Sequence, residues 1–113
     1  MDLAENLFPF VLNKDDWLST LHLDVRTGYK RKLFKAQANK YFIGSGYCWT
    51  ALAVVFLEDT MPELINDINF DSNNNLFCVQ SFNYDILKLF AISFKAACNN
   101  DTLLKYYLTE VKF

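Results

Sequence analysis

A chain of 113 residues and 13.2 kDa, 52% hydrophobic and 17% aromatic, is long enough for one domain with a real core and too short for two. Its 11 Phe, 6 Tyr and 2 Trp exclude a disordered chain, because so many rings are costly to leave in water. A net charge of -2 and a pI of 5.2 argue against a protein that coats nucleic acid.

The first residues, Met1 to Asn6, hold two acids, and no base occurs before Lys14, so no secretory signal is expected and a cytoplasmic location is. Cys48, Cys78 and Cys98 are odd in number, widely spaced and set in apolar stretches. They read as reduced core residues, not as a disulfide framework or a metal site. The uncharged run 41–57 is broken by Gly44-Ser45-Gly46. What remains, 47–57, is shorter than the roughly 17–25 residues of a membrane span, so no membrane partner is expected.

In chain order, Leu7 to Leu12 reads as a strand, with Pro9 favouring an edge because it cannot donate to a ladder. Asn13 to Asp16 is a turn. Trp17 to Arg26 then alternates, with Trp17, Ser19, Leu21, Leu23 and Val25 on one face and Leu18, Thr20, His22, Asp24 and Arg26 on the other. After Thr27-Gly28, the span Tyr29 to Lys40 places Leu33, Phe34, Ala38 and Tyr41 near helical spacing. Ser45 is placed to cap a buried helix through Trp49, Leu52, Ala53, Phe56 and Leu57. A short turn over Met61 to Asn66 leads to a hairpin, Ile68 to Asp71 and Leu76 to Phe82, joined by Ser72-Asn73-Asn74-Asn75. Asn83 caps a helix to about Cys98, and Asn100 or Asp101 starts a last helix through Leu104, Tyr107 and Leu108. The order β-β-α-α-β-β-α-α predicts an α+β fold: an antiparallel sheet of about four strands, covered by helices on one face.

Charge is segregated along the chain. Residues 26–40 hold six bases and no acid, whereas 41–87 hold six acids (Glu58, Asp59, Glu63, Asp67, Asp71, Asp85) and no Lys or Arg. The basic span, with Arg26, Lys30, Arg31, Lys32, Lys35 and Lys40, invites a nucleic-acid reading. A solvated helix face is the plainer alternative for a chain of net -2. The acidic stretch suits either a solubilising rim or a surface that meets a basic partner.

Catalytic chemistry has little to stand on. His22 is the only histidine, no nucleophile elbow accompanies it, and neither phosphate-binding glycine motif occurs. One His and scattered Cys cannot assemble a usual zinc set, so no metal or cofactor is expected. Acid pairs at Glu58-Asp59 and Asp67/Asp71 would need a pocket and a raised pKa to act as acid and base. An enzyme is not expected.

One set of motifs carries a resemblance. Gly46-Tyr47-Cys48-Trp49-Thr50-Ala51-Leu52-Ala53 is followed by Pro62-Glu63-Leu64, by Phe70-Asp71-Ser72-Asn73-Asn74-Asn75-Leu76-Phe77-Cys78, by Asp85-Ile86-Leu87-Lys88-Leu89 and by Asn100-Asp101. In this order, over roughly residues 46–110, the chain resembles the immunity protein 51 family of bacterial polymorphic-toxin systems, which includes proteins paired with contact-dependent inhibition toxins. The family pattern has a G-Y-x-W helix start and an F-D-P-E turn; here Ser72-Asn73 replaces Pro-Glu. Those two residues can shape the turn through side-chain-to-backbone hydrogen bonds. Tyr47 and Trp49 are expected to pack the buried helix.

The resemblance implies a protein that binds and neutralises a toxin domain made in the same cell. A nuclease toxin has a basic cleft for phosphates, and Glu58, Asp59, Glu63, Asp67 and Asp71 would pair with that cleft. The alternative is a nucleic-acid-binding module using residues 26–40. An adaptor anchored by exposed aromatics such as Trp17 or Tyr106 is a further possibility.

Overall fold

A computed structural model describes residues 7–37 and 43–111. Two short strands open the chain, β1 (Val11–Asn13) and β2 (Ser19–Asp24), followed by a 3-10 turn at Val25–Thr27. Then come helices α1 (Arg31–Lys35) and α2 (Gly46–Thr60), and a 3-10 segment, Pro62–Asp67. Strands β3 (Asn69–Phe70) and β4 (Leu76–Ser81) precede helices α3 (Tyr84–Cys98) and α4 (Asp101–Glu110). The sheet is antiparallel throughout, in the order β1-β2-β4-β3. This is the α+β arrangement expected from the hydrophobic pattern.

Register sets the two faces. Leu21 opposes Val79 and Leu23 opposes Phe77, and all four are buried beneath the helices. The alternate positions Thr20, His22 and Gln80 are partly exposed on the opposite face. Trp49 sits at the centre of the core, 1% exposed. Its ring stacks on Tyr29 at 5.8 Å and meets Phe10 and Phe94 edge-on. A second aromatic group, Phe56, Phe90, Phe94 and Tyr107, joins α2, α3 and α4. Aromatic pairs in these geometries add roughly 0.5–1.5 kcal/mol each beyond their burial.

The three long helices start as expected. Ser45, Asn83 and Asn100 each accept a hydrogen bond from the backbone N–H three residues on, at 3.3, 3.2 and 3.1 Å. The Gly46 position is steric: a Cβ there would collide with the carbonyl oxygens of Asn73 and Leu76, so α2 can start only this close to the β3–β4 turn with glycine. Gly46 N–H donates to Asn74 O at 3.1 Å, joining helix to turn.

Three expectations need correction. The first strand begins only at Val11, because residues 7–10 form a turn closed by Phe10 N–H on Leu7 O at 2.8 Å. Pro9 lies in that turn, after a cis Phe8–Pro9 bond, and so lies outside the edge strand. The second strand is shorter than Trp17 to Arg26. It ends where the Asp24 carboxylate accepts from Arg26 N and starts a 3-10 turn, and Trp17, expected within the strand, precedes it and is 76% exposed. The helix expected over 29–40 spans only Arg31–Lys35 among the described residues. Left-handed backbone at Gly28 and Lys30 delays its start. Ala38, Lys40 and Tyr41 lie outside the described residues.

Candidate functional site

Helix α2 carries Ala51, Val54, Val55 and Glu58 at helical spacing on one side, with Asp59 next to them. Facing them, α4 presents Tyr106, Tyr107 and Glu110. Together they line an open groove of about 670 Å³ with an apolar floor and three carboxylates. One strut crosses it: the buried Tyr107 hydroxyl donates to Asp59 Oδ2 at 2.8 Å. Burial first, and then this bond to the carboxylate, push the Tyr107 phenol up to about 12.

The electrostatics of the groove are unusual for helix ends. Glu58 and Asp59 lie in the last turn of α2 and Glu110 ends α4, and neither last turn contains a basic residue. A helix C-terminus carries partial negative charge, so acids there are disfavoured and cations welcome. Among the described residues no Lys or Arg lines the groove. Two negative helix ends and three carboxylates therefore converge on one concave surface, which suits a cationic partner.

Of the five acids singled out in the sequence, the fold brings only Glu58 and Asp59 into this groove. Glu63 and Asp67 are exposed on the 3-10 segment that follows α2. Asp71 lies past β3, where Gln80 Nε2 donates to its carboxylate at 3.4 Å. The sequence offers Tyr106 only as an exposed aromatic anchor, and it points to neither Tyr107 nor Glu110 as a site residue, because nothing local pairs the last helix with α2.

A second groove, of about 400 Å³, is basic. Arg26, Arg31 and Lys35 line it with Gly44, Ser45, Asn74 and Asn75. Two bases of the 26–40 span are tied to acids: Arg26 to Asp24 at 2.8 Å and Lys30 to Asp101 at 2.8 Å. These pairs hold both carboxyls below the usual range, that of Asp24 at about 2.

The remaining motif residues are structural. Trp49 fills the core, and Tyr47, expected to pack beside it, is instead 54% exposed. The Ser72-Asn73 replacement holds the turn through side-chain bonds: Ser72 Oγ accepts from Cys78 N at 2.9 Å, and Asn73 Oδ1 accepts from Asn75 N and Leu76 N at 2.9 and 3.0 Å. Cys78 and Cys98 are free thiols, and they and Cys48 are buried. The register sets His22 opposite Cys78, but burial and Asp71 push that thiol up, the reverse of what a nucleophile needs. Among the described residues no three His, Cys, Asp or Glu gather as a metal site. No described helix is long and apolar enough to cross a membrane.

The sequence model of the family described as immunity protein 51 matches residues 10–112. The match therefore takes in most of the first 45 residues as well as the motifs of the 46–110 span. No curated protein and no solved structure matches the chain significantly. With the family's model spanning nearly its whole length, this chain belongs to the immunity protein 51 family.

Proposed function

We propose that the chain neutralises a cognate toxin domain in the bacterial cytosol by stoichiometric protein–protein binding, within a polymorphic-toxin or contact-dependent growth inhibition system. The toxin is a nuclease whose basic substrate cleft meets the acidic groove, which excludes the phosphates that the cleft normally holds. The observation that carries this reading is the convergence of Glu58, Asp59 and Glu110 at two helix ends whose last turns lack a base. Glu63, Asp67 and Asp71, exposed outside the groove, add to the acidic charge offered to the toxin. The action is binding alone, with no catalysis, cofactor or metal.

The test is co-expression with the toxin domain encoded immediately upstream, scored by growth and by co-purification. Rescue with a stable complex supports the reading; a truly toxic neighbour that kills despite folded antidote removes it. Neutralising the acids (Glu58→Gln, Asp59→Asn, Glu63→Gln, Asp67→Asn, Asp71→Asn, Glu110→Gln) is expected to weaken the complex and flatten its salt dependence. Unchanged affinity and salt slope would sink the electrostatic part.

A second reading rests on the basic groove of Arg26, Arg31 and Lys35. It requires oligonucleotide binding that falls steeply with salt and disappears in Arg31→Glu/Lys35→Glu. No binding at low salt removes it.

A further inference from the structure

The strands β2 and β4 end together at a pair of opposed serines, Ser19 and Ser81, both buried. Each serine turns its hydroxyl onto its own chain. Ser19 Oγ accepts from Asp15 N at 3.1 Å, and Ser81 Oγ accepts from Asn83 N at 3.0 Å. These bonds stop the ladder on both strands at one level and turn the adjoining segments outward. Trp17 N–H is held in turn by Asp15 Oδ1 at 2.9 Å. Trp17 and Phe82 consequently stand in solvent, 76% and 69% exposed, with their rings edge to face 5.8 Å apart.

The fold does not need this pair. Each ring withholds roughly 150–250 Å² of contact area from the core, while the turns beside it are held by the Ser19, Asp15 and Ser81 side-chain bonds. Three exposed carboxylates flank it in the chain: Asp15 and Asp16 precede Trp17, and Asp85 follows Phe82. One cation is also close in the chain, Lys14, whose Nζ lies 5.1 Å from the centroid of the Tyr84 ring. An exposed Trp face flanked by acids in the chain suits a Lys or Arg side chain, through cation–π attraction and ion pairing together. Trp is also among the residues that dominate binding energy at interfaces.

We propose that Trp17 and Phe82 are the apolar anchor of the toxin interface, a preformed aromatic pair that takes a basic side chain of the toxin domain. This rests on the antidote reading above, and its charge logic is the same: a positive partner suits both the acidic groove and the acid-flanked pair. A second copy of the chain suits it less, since two acid-flanked patches repel.

The experiment measures the affinity of the purified toxin domain for the parent protein, Trp17→Ala, Phe82→Ala and Trp17→Phe at two salt concentrations, with thermal unfolding as the folding control. Each alanine variant should fold as the parent does and bind about 30-fold more weakly or worse, the loss expected at a hot spot. The salt slope should stay that of the parent, because no charge is removed, and Trp17→Phe should recover most of the affinity. Parent-like affinity in Trp17→Ala/Phe82→Ala overturns the anchor while leaving the antidote reading intact. A parent that does not bind its toxin overturns both. A dimer of the free protein that Trp17→Ala abolishes assigns the pair to self-association and also overturns it.

Discussion

The Tyr107 hydroxyl donates to Asp59 Oδ2 at 2.8 Å, so the last helix is tied to the C-terminal turn of α2 across the acidic groove. The bond has two roles. It satisfies a phenol whose ring is buried against Phe56, and it orients one carboxylate of the groove.

Replacing Tyr107 with Phe should cost about 1 kcal/mol in urea unfolding, the usual net worth of one hydrogen bond. The same variant tests alkaline stability. The folded phenol ionises at about 12, above its ordinary value of about 10. Its contribution is therefore complete below pH 10 and is lost as pH rises through 12. Burial raises Tyr29 as well, so the parent's unfolding midpoint should fall steeply above pH 10. Tyr107→Phe should fall less steeply.

The groove acids predict opposite effects on stability and binding. Glu58→Gln and Glu110→Gln remove negative charge from helix C-termini, so thermal stability should rise by about 0.3–1 kcal/mol each. Toxin affinity should drop in the same variants, most at low salt. Variants that lose stability would show that these acids support the fold instead.

Gly46 and Trp49 are predicted to be folding residues, not contact residues. Gly46→Ala places a methyl group against two backbone carbonyls, and Trp49→Ala empties the centre of the core, at a cost of about 3–5 kcal/mol. Both should show as a lower urea midpoint. Tyr47→Ala should leave the midpoint nearly unchanged, since that ring is mostly in solvent.

Ser72 is half-buried and supports the turn through three contacts: Cys78 N at 2.9 Å, Thr50 Oγ1 at 2.7 Å and Cys78 O at 3.4 Å. Ser72→Ala leaves the Cys78 N–H without that partner and should destabilise by about 1–3 kcal/mol. Faster amide exchange at Cys78 is the local readout.

On the acid side, Lys30 holds the Asp101 carboxyl below its ordinary value. The link is complete above the unfolded value of about 3.9 and is lost as pH falls through the lowered folded one. Lys30→Met should lessen the acid-range decline in an unfolding series between pH 5 and pH 2, leaving the part that comes from the Arg26-paired Asp24.

The long helices and the hairpin were legible because their signals are local. Ser45, Asn83 and Asn100 each act within one helical turn, and the apolar spacing from Trp49 to Leu57 repeats without interruption. Trp17 was misplaced for a complementary reason. Alternation continues through it in the sequence, but the ladder stops at Ser19 because Asp15 bends the chain back onto that hydroxyl. The basic span was overextended in the same way: its periodicity does not register the left-handed turn at Gly28 and Lys30.

The sequence by itself determined the element order, the capped helix starts, the side of the sheet that is buried and the family, because each depends on neighbours within a few residues or on motif order. Only the tertiary structure decided the site. Glu58 and Glu110, or Trp17 and Phe82, meet across more than 50 residues of chain, and their meeting follows from helix packing and strand register. No local pattern of charge or hydrophobicity encodes that distance.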